Sequence, residues 1–342
     1  MKSSLIKLLY LVFFLILYSL PCFSSSLDSK ESYFNTDGKL IISNYPEELT
    51  EPGVLLNKRI FNHSMRFMYY HKNSSKKNLK IAIIIENTLS SNLDLNYIFS
   101  KAGPTEDGLY AGHISTKSFF ETLLSKSFTK LSFNPNQSRL ITTHLIKPGQ
   151  VSTGILEINK ASLLSHYRLK AIVLDPEYPQ LSEFNDVKLL NYTCGIYAQT
   201  VKNIYRYYNF EKPLEEVSIG INPYLEDIQE KHPLKGNYGL LYKIQLVVSN
   251  PFKAYKKLNF YFSPTGGLSR GLIAIDNTLY ETGLFSKKNN FEPEKITHIV
   301  LAPYEQKTIN ILTMPQAGSF YPVHFVIQSN EIQYKYMVSS EI

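Results

Sequence analysis

The chain has 342 residues, 44% of them hydrophobic, and a formal net charge of +7. This composition supplies cores for two domains of ordinary size and excludes a globally disordered chain. A charge this small over so large a surface is too weak to imply a nucleic-acid partner.

Lys2 and Lys7 precede an apolar run from Leu8 to Leu17, followed by Pro21 and the small residues Ser24, Ser25 and Ser26. That order is the pattern of a secretory signal over residues 1–24. The run is shorter than the roughly 20 residues a membrane span needs, and no second run of that length follows. The expected location is therefore secreted or extracellular, at or near the cell surface, with no transmembrane segment after cleavage. An uncleaved anchor and a lipoprotein attached through Cys22 are the alternatives, although Ser19-Leu20-Pro21 matches poorly the small residues that lipid attachment prefers. Cleavage leaves Cys194 without an intramolecular disulfide partner, and it reads as a small buried residue rather than a nucleophile. Asn62, Asn73, Asn136 and Asn191 sit in Asn-x-Ser/Thr patterns, which matter only in a eukaryotic secretory pathway.

Residues 25–50 read as a flexible lead-in in which Leu40, Ile41 and Ile42 supply at most one edge strand. A first domain is expected over 51–178. Val54–Leu56, Arg59–Tyr70 and Leu79–Glu86 read as strands, and Ile81–Ile85 is so apolar that it belongs at the centre, covered on both faces. Leu93, Leu95, Tyr97 and Phe99 alternate as the next strand. The period then changes at Phe119, Phe120, Leu123, Leu124 and Phe128, which predicts a short helix capped by Ser118 and Glu121 and covering an open end of the sandwich. Arg139–Ile146, Thr153–Ile158 and Tyr167–Leu174 return to strand. Residues 179–235 read as a linking module.

The second domain, 236–342, carries the clearest pattern. Leu240, Tyr242, Ile244, Leu246 and Val248 alternate, as do Leu258, Phe260 and Phe262, with Asn250-Pro251 between them. Leu272–Ile275, Leu279–Glu281, Ile296–Leu301, Thr308–Thr313 and Val323–Ile327 complete it. A weak internal repeat matches Ile141–Pro148 to Ile296–Pro303. With 25 Tyr and 20 Phe, which favour pleated surfaces, this predicts a mainly β chain of two Ig-like antiparallel β-sandwich domains with one short helix in the first.

Several short stretches recur in a fixed order: Glu51-Pro52-Gly53-Val54-Leu55, Asn78-Leu79-Lys80 leading to Glu86-Asn87, Gly236 to Tyr242, Ser263-Pro264-Thr265-Gly266-Gly267, and Met314-Pro315 before Pro322-Val323. In that order the chain resembles a family of uncharacterised secreted proteins of Gram-positive bacteria, relatives of which carry a stalk segment similar to the copper amine oxidase N-terminal domain. No stalk segment is read here. Thr193-Cys194-Gly195 stands where the family has a basic, Arg-Gly-containing motif. The resemblance implies a secreted β-rich fold and no activity.

Catalytic constellations are not found. The eight histidines show no close ligand pair and no His-Glu-x-x-His, so neither a metal nor another cofactor is expected. No Gly-x-Ser-x-Gly elbow occurs. His144 and His298 read as core-edge or solvent-facing residues of the repeat. Carboxylate neighbours for glycoside hydrolysis are Glu215 with Glu216, Glu226 with Asp227, and Glu292 with Glu294, all in polar stretches. Asp175, Glu177, Asp186 and Asp276 are acidic residues that sandwich ends could offer to calcium, without a spaced loop of the usual type. The candidate binding site is the Ser263–Arg270 loop, through Ser263, Thr265 and Arg270, with Tyr238 and Tyr242 as aromatic surface for sugar or peptide. The leading reading is an exported non-enzymatic protein that binds a cell-surface polymer or a protein partner. A polysaccharide or cell-wall hydrolase and an envelope or spore assembly scaffold are the alternatives.

Overall fold

Strands account for nearly all regular structure in the computed structural model, which describes residues 32–35, 38–45, 47–61, 64–159, 166–176, 190–286 and 292–329. The expected signal segment lies outside the described residues. In chain order the first strands are β1 (Ser32–Asn35), β2 (Lys39–Tyr45), β3 (Glu48–Leu49), β4 (Gly53–Phe61), β5 (Met65–Asn73), β6 (Leu79–Asn87) and β7 (Leu93–Thr105). The helix α1 (Gly108–Leu124) follows, then β8 (Thr129–Phe133), β9 (Ser138–Ile146), β10 (Val151–Asn159) and β11 (His166–Leu174). Between the halves run β12 (Leu190–Asn191), β13 (Thr193–Tyr197), β14 (Val201–Asn209) and β15 (Leu214–Ile219). The last are β16 (Leu241–Ser249), β17 (Lys256–Pro264), β18 (Leu272–Ile275), β19 (Thr278–Glu281), β20 (Glu294–Leu301), β21 (Gln306–Thr313) and β22 (Val323–Gln328).

These strands form four sheets. Sheet 1 has the order β13-β2-β5-β10-β7-β8 with β3 beside β5, and sheet 2 the order β12-β4-β11-β6-β9. Between them Phe67, Leu95 and Leu156 meet Ile81, Ile83, Ile85 and Leu169 in one core. Sheet 3 runs β1-β14-β16-β21-β18-β19 and sheet 4 runs β15-β22-β17-β20. Ile244, Leu246, Ile309 and Ile311 pack there against Phe260, Phe262, Phe325 and Ile327. Each such side chain contributes about 1.5–3 kcal/mol by leaving water. The chain is thus mainly β, with several antiparallel sheets in a sandwich-like arrangement and one helix among the described residues.

The predicted alternation becomes burial: Leu240, Tyr242, Ile244, Leu246 and Val248 are all buried. Ile81–Ile85 is covered on both faces, as expected of its unbroken apolar run. Several expectations are corrected. The lead-in is not an edge, because β2 lies between β13 and β5 with Leu40, Ile41 and Ile42 buried. The single strand expected over Arg59–Tyr70 is two, β4 in sheet 2 and β5 in sheet 1. The helix is capped by Asp107, whose side chain accepts from the Tyr110 N–H at 2.9 Å, and Ser118 lies inside it. It lies on the face of sheet 1 that points away from the first core, where Phe119 and Phe120 join Met68, Ile98 and Ile155. This cluster is continuous with the core of sheets 3 and 4. Within the expected linking module, β13 joins sheet 1, β14 joins sheet 3 and β15 joins sheet 4.

The internal repeat is real, with a different register. Four strands in the order β5-β10-β7-β8 match β15-β22-β17-β20, and the pair β6·β9 matches β16·β21. The stretch Ile141–Pro148 therefore corresponds to β21, not to Ile296–Pro303. The misleading likeness comes from one corner used three times. Asn73 and Asn87 end β5 and β6, Asn250 directly follows β16, and all three are buried. Each side-chain oxygen accepts from the N–H two residues on, and each amide donates to the carbonyl four residues on. Each amide also reaches a distant carbonyl, of Ile146, Asn134 and Ala302 respectively. The turns they brace are Lys147-Pro148-Gly149-Gln150, Asn134-Pro135-Asn136-Gln137 and Ala302-Pro303-Tyr304-Glu305. In all three a proline is followed by a residue of positive φ, and the last side chain accepts from the first N–H, the arrangement of a turn with proline at its second position.

Candidate functional site

Where the outer face of sheet 1 meets the loops of the second sandwich, a cavity of about 440 Å³ opens. Ile42 of β2 and Met68 and Tyr70 of β5 form one wall; Tyr238, Leu268 and the loop 317–320 between β21 and β22 form the other. Asn44, near the end of β2, and Glu47, after it, also line the cavity. The β21–β22 loop is pinned in place: Tyr238 Oη donates to the Ser319 carbonyl at 3.0 Å, and the Phe320 N–H to the Leu268 carbonyl at 2.8 Å. Gly267, at φ +61°, lies so close to the Phe320 side chain that a Cβ there would overlap it. Leu268 is 55% exposed and Phe320 42%, so the mouth of the cavity is apolar.

Electrostatics in the cavity come from Glu47. Burial pushes its carboxyl up, the neighbouring Glu48 adds to this, and Lys72 opposes it. Tyr70 is pushed up to about 12 by burial and then by the charges of Glu47 and Asp107. Both tyrosines of the cavity are therefore neutral phenols near pH 7.

The structure brings some of the predicted residues together and separates others. Tyr238 lines the cavity, and the Ser263–Arg270 loop reaches it through Leu268. Ser263 is half-buried and faces His324 in the β17·β22 ladder. Thr265 donates from Oγ1 to the Pro322 carbonyl at 2.7 Å. Arg270 donates from Nε to the Thr282 carbonyl at 3.2 Å and lies 3.9 Å from Glu281. Tyr242 is fully buried; its hydroxyl accepts from the Gly220 N–H and the Asn237 amide at 3.1 and 3.2 Å, in the core rather than at the cavity.

Beside Arg270 lies a second cluster that the sequence did not suggest. His113 of α1, fully buried, meets Glu281 of β19 at 2.8 Å, and Lys117 meets the other Glu281 oxygen at 2.5 Å. Burial lowers the His113 pKa first, against the hydrogen bond it donates to Glu281, which raises it. Burial raises the Glu281 carboxyl, and the bonds from Lys117 and His113 outweigh it, leaving it below its ordinary value. This cluster ties the helix to the β18–β19 hairpin.

The candidate carboxylate pairs hold other partners. Glu215 lies 3.3 Å from Arg206, and Glu216 lies 2.7 Å from His324. Asp227 accepts from the N–H groups of Ile196, Gln229 and Glu230, and Glu294 from that of Gly283. Cys194 donates to the Leu55 carbonyl, and burial pushes its thiol up to about 11, away from nucleophile chemistry. His144 is buried while His298 is exposed. Of the acidic residues considered for calcium, Glu177 and Asp186 lie outside the described residues, and Asp276 accepts from the Asn310 N–H. Among the described residues no group of three metal-binding side chains occurs, and no helix is long and apolar enough to cross a membrane.

No protein-family model and no curated protein matches the chain. Solved structures align with it at low similarity. One is Fet3p, described as a multicopper oxidase that functions in iron import, at 9% identity and a TM-score of 0.16, covering 83% of this chain and 62% of that one. Another is the N-terminal CBM22-1-CBM22-2 tandem domain of Paenibacillus barcinonensis Xyn10C, at 10% identity and a TM-score of 0.13, covering 79% of this chain and 75% of that one. At such scores neither alignment carries an argument.

Proposed function

We propose that the chain is an exported, non-enzymatic β-sandwich protein that binds a protein partner, whose apolar side chain enters the cavity while a cationic group meets Glu47. The observation that carries this reading is the concave surface whose rim is made apolar by the exposed side chains of Leu268 and Phe320. Such surfaces, edged by polar groups, are where soluble proteins take partners. Ile42, Met68, Leu268 and Ala317 supply aliphatic contact for a protein side chain, and Asn44, Glu47, Tyr70, Tyr238 and Ser319 supply polar groups beside it. Export rests on the signal pattern of residues 1–24. The carboxylates considered for hydrolysis each have local partners or stand exposed, and Glu47 is the acidic side chain lining the cavity.

Selection from a random-peptide library tests the reading. Enriched peptides are expected to pair a large apolar residue with Lys or Arg, to bind Phe320→Ala poorly, and to bind Glu47→Gln less well. Binding should also weaken as pH falls through the raised Glu47 pKa. Peptides that bind Phe320→Ala as tightly as the natural chain, or a glycan array in which a saccharide competes for the same rim, would replace this proposal.

A further inference from the structure

β9 and β21 are the same strand in the two halves. Each leaves a corner braced by Asn87 or Asn250 and pairs with β6 or β16, so that Glu86↔Ser138 matches Ser249↔Gln306. A bulge at Ile141 shifts the count by one, after which Leu79↔Ile146 matches Tyr242↔Thr313. Thr143 and Leu145 thus correspond to Asn310 and Leu312, and the buried His144 to the buried Ile311.

Their far edges differ. β18 lies against β21, with Ile273↔Thr313, Ala274↔Leu312 and Ile275↔Ile311, and the Asp276 N–H donates to the Asn310 carbonyl at 2.9 Å. β9 ends its sheet, and among the described residues no strand pairs with its far side. The cause is what each half inserts between equivalent strands. Between β17 and β20 the chain inserts the β18–β19 hairpin, which covers the edge of β21; between β7 and β8 it inserts α1, which packs on sheet 1 and, among the described residues, adds no strand to the edge of sheet 2. Leu145 is accordingly 44% exposed, whereas Leu312, its counterpart opposite Ala274, is half-buried.

Open edges are usually guarded by charge. β15, another edge, carries Glu215 and Glu216 in ion pairs with Arg206 and His324. From Thr142 to Ile146, β9 carries no acidic, Lys or Arg side chain. We infer that the far edge of β9, at Thr143–Ile146, takes an extended aliphatic segment of a partner protein, antiparallel, in the place that β18 holds against β21. Main-chain groups of Thr143 and Leu145 supply the ladder, and Leu145 supplies side-chain contact. This surface lies on sheet 2, apart from the cavity on sheet 1, so the two proposals fail independently.

The probe is a capped synthetic peptide of residues 270–283, which carries the strand that fills the equivalent edge. Amide hydrogen exchange of the full chain, read by NMR, is expected to slow at Thr143 and Leu145 as peptide is added. It should stay unchanged at Ile299 and Val300 of the edge strand β20. A peptide with Pro in place of Ala274 should give no protection, since it cannot continue the ladder. Leu145→Lys, a change at an exposed side chain, should weaken binding by about threefold to fivefold. Unchanged exchange at Thr143 and Leu145 up to the solubility limit of the peptide overturns the inference. So does equal protection by the Pro peptide, or protection that grows with protein concentration in the absence of peptide, which would assign the edge to a second copy.

Discussion

A buried asparagine is costly unless its amide protons and its oxygen all find partners. Asn73, Asn87 and Asn250 meet that condition in the same way. It also removes Asn73 from consideration as a glycan acceptor, because both of its amide protons are used inside the fold. Asn250→Asp keeps the acceptor for Phe252 but turns a second oxygen towards the carbonyls of Ala254 and Ala302. Urea denaturation should show a loss of about 3 kcal/mol near neutral pH, shrinking in acid as the new carboxyl protonates and can donate. His144 provides a second prediction. Burial, then the charge of Lys101, lowers its pKa from 6.5 to about 4, and it lies within 3.3 Å of Tyr69, Thr142 and Ser152. The unfolded chain takes up this proton near pH 6.5 and the folded chain only near 4. Stability is therefore complete above 6.5 and falls as the pH drops between the two values, by about 2 kcal/mol from pH 7 to pH 5. His113, also lowered, acts in the same direction. In His144→Gln the slope of stability against pH should flatten over that range; an unchanged slope would contradict the assignment.

At the scale of elements, strands whose alternate residues enter a core were legible, and elements with a mixed surface were not. β16 follows its apolar period closely, and β6 was legible from its unbroken apolar run. β8 escaped notice because only Phe133 of its five residues is buried. The first turns of α1 also escaped, since their buried residues are Ala111, Gly112, His113, Ser115 and Thr116, small or polar side chains without an apolar period. The smallness at Gly112 has a reason. A Cβ on Gly112 would overlap the Ala317 carbonyl, so the helix and the β21–β22 loop touch backbone to backbone. Gly112→Ala should push that loop outward, costing about 1–3 kcal/mol and reshaping the cavity wall. Thermal denaturation and binding of a selected peptide would report the two effects together. Full stability with altered binding, or the reverse, would separate helix from loop and contradict the coupling.

At the scale of the whole molecule, the described sheets are tied together by more than chain continuity. Arg66, 1% exposed, donates to Glu157, to the carbonyls of Thr200 and Gly239 at 2.8 and 2.9 Å, and lies over Phe119. It fastens sheet 1 and the helix to the segments entering β14 and β16. Two β-rich halves could be read in the sequence from periods and turns. The cavity could not, because Ile42, Tyr70, Tyr238, Leu268 and Phe320 come from distant stretches with no common local pattern. Tyr238 and the Ser263–Arg270 loop pointed to its neighbourhood; Glu47 and Phe320 gave no signal before folding. Since the chain has no tryptophan, Phe320→Trp places a single indole at the rim. Titrating this variant with a library-selected peptide while following tryptophan emission tests the cavity most directly. A saturable shift in emission that tracks binding is predicted; a peptide that binds while the emission stays unchanged would contradict the assignment of function to this site.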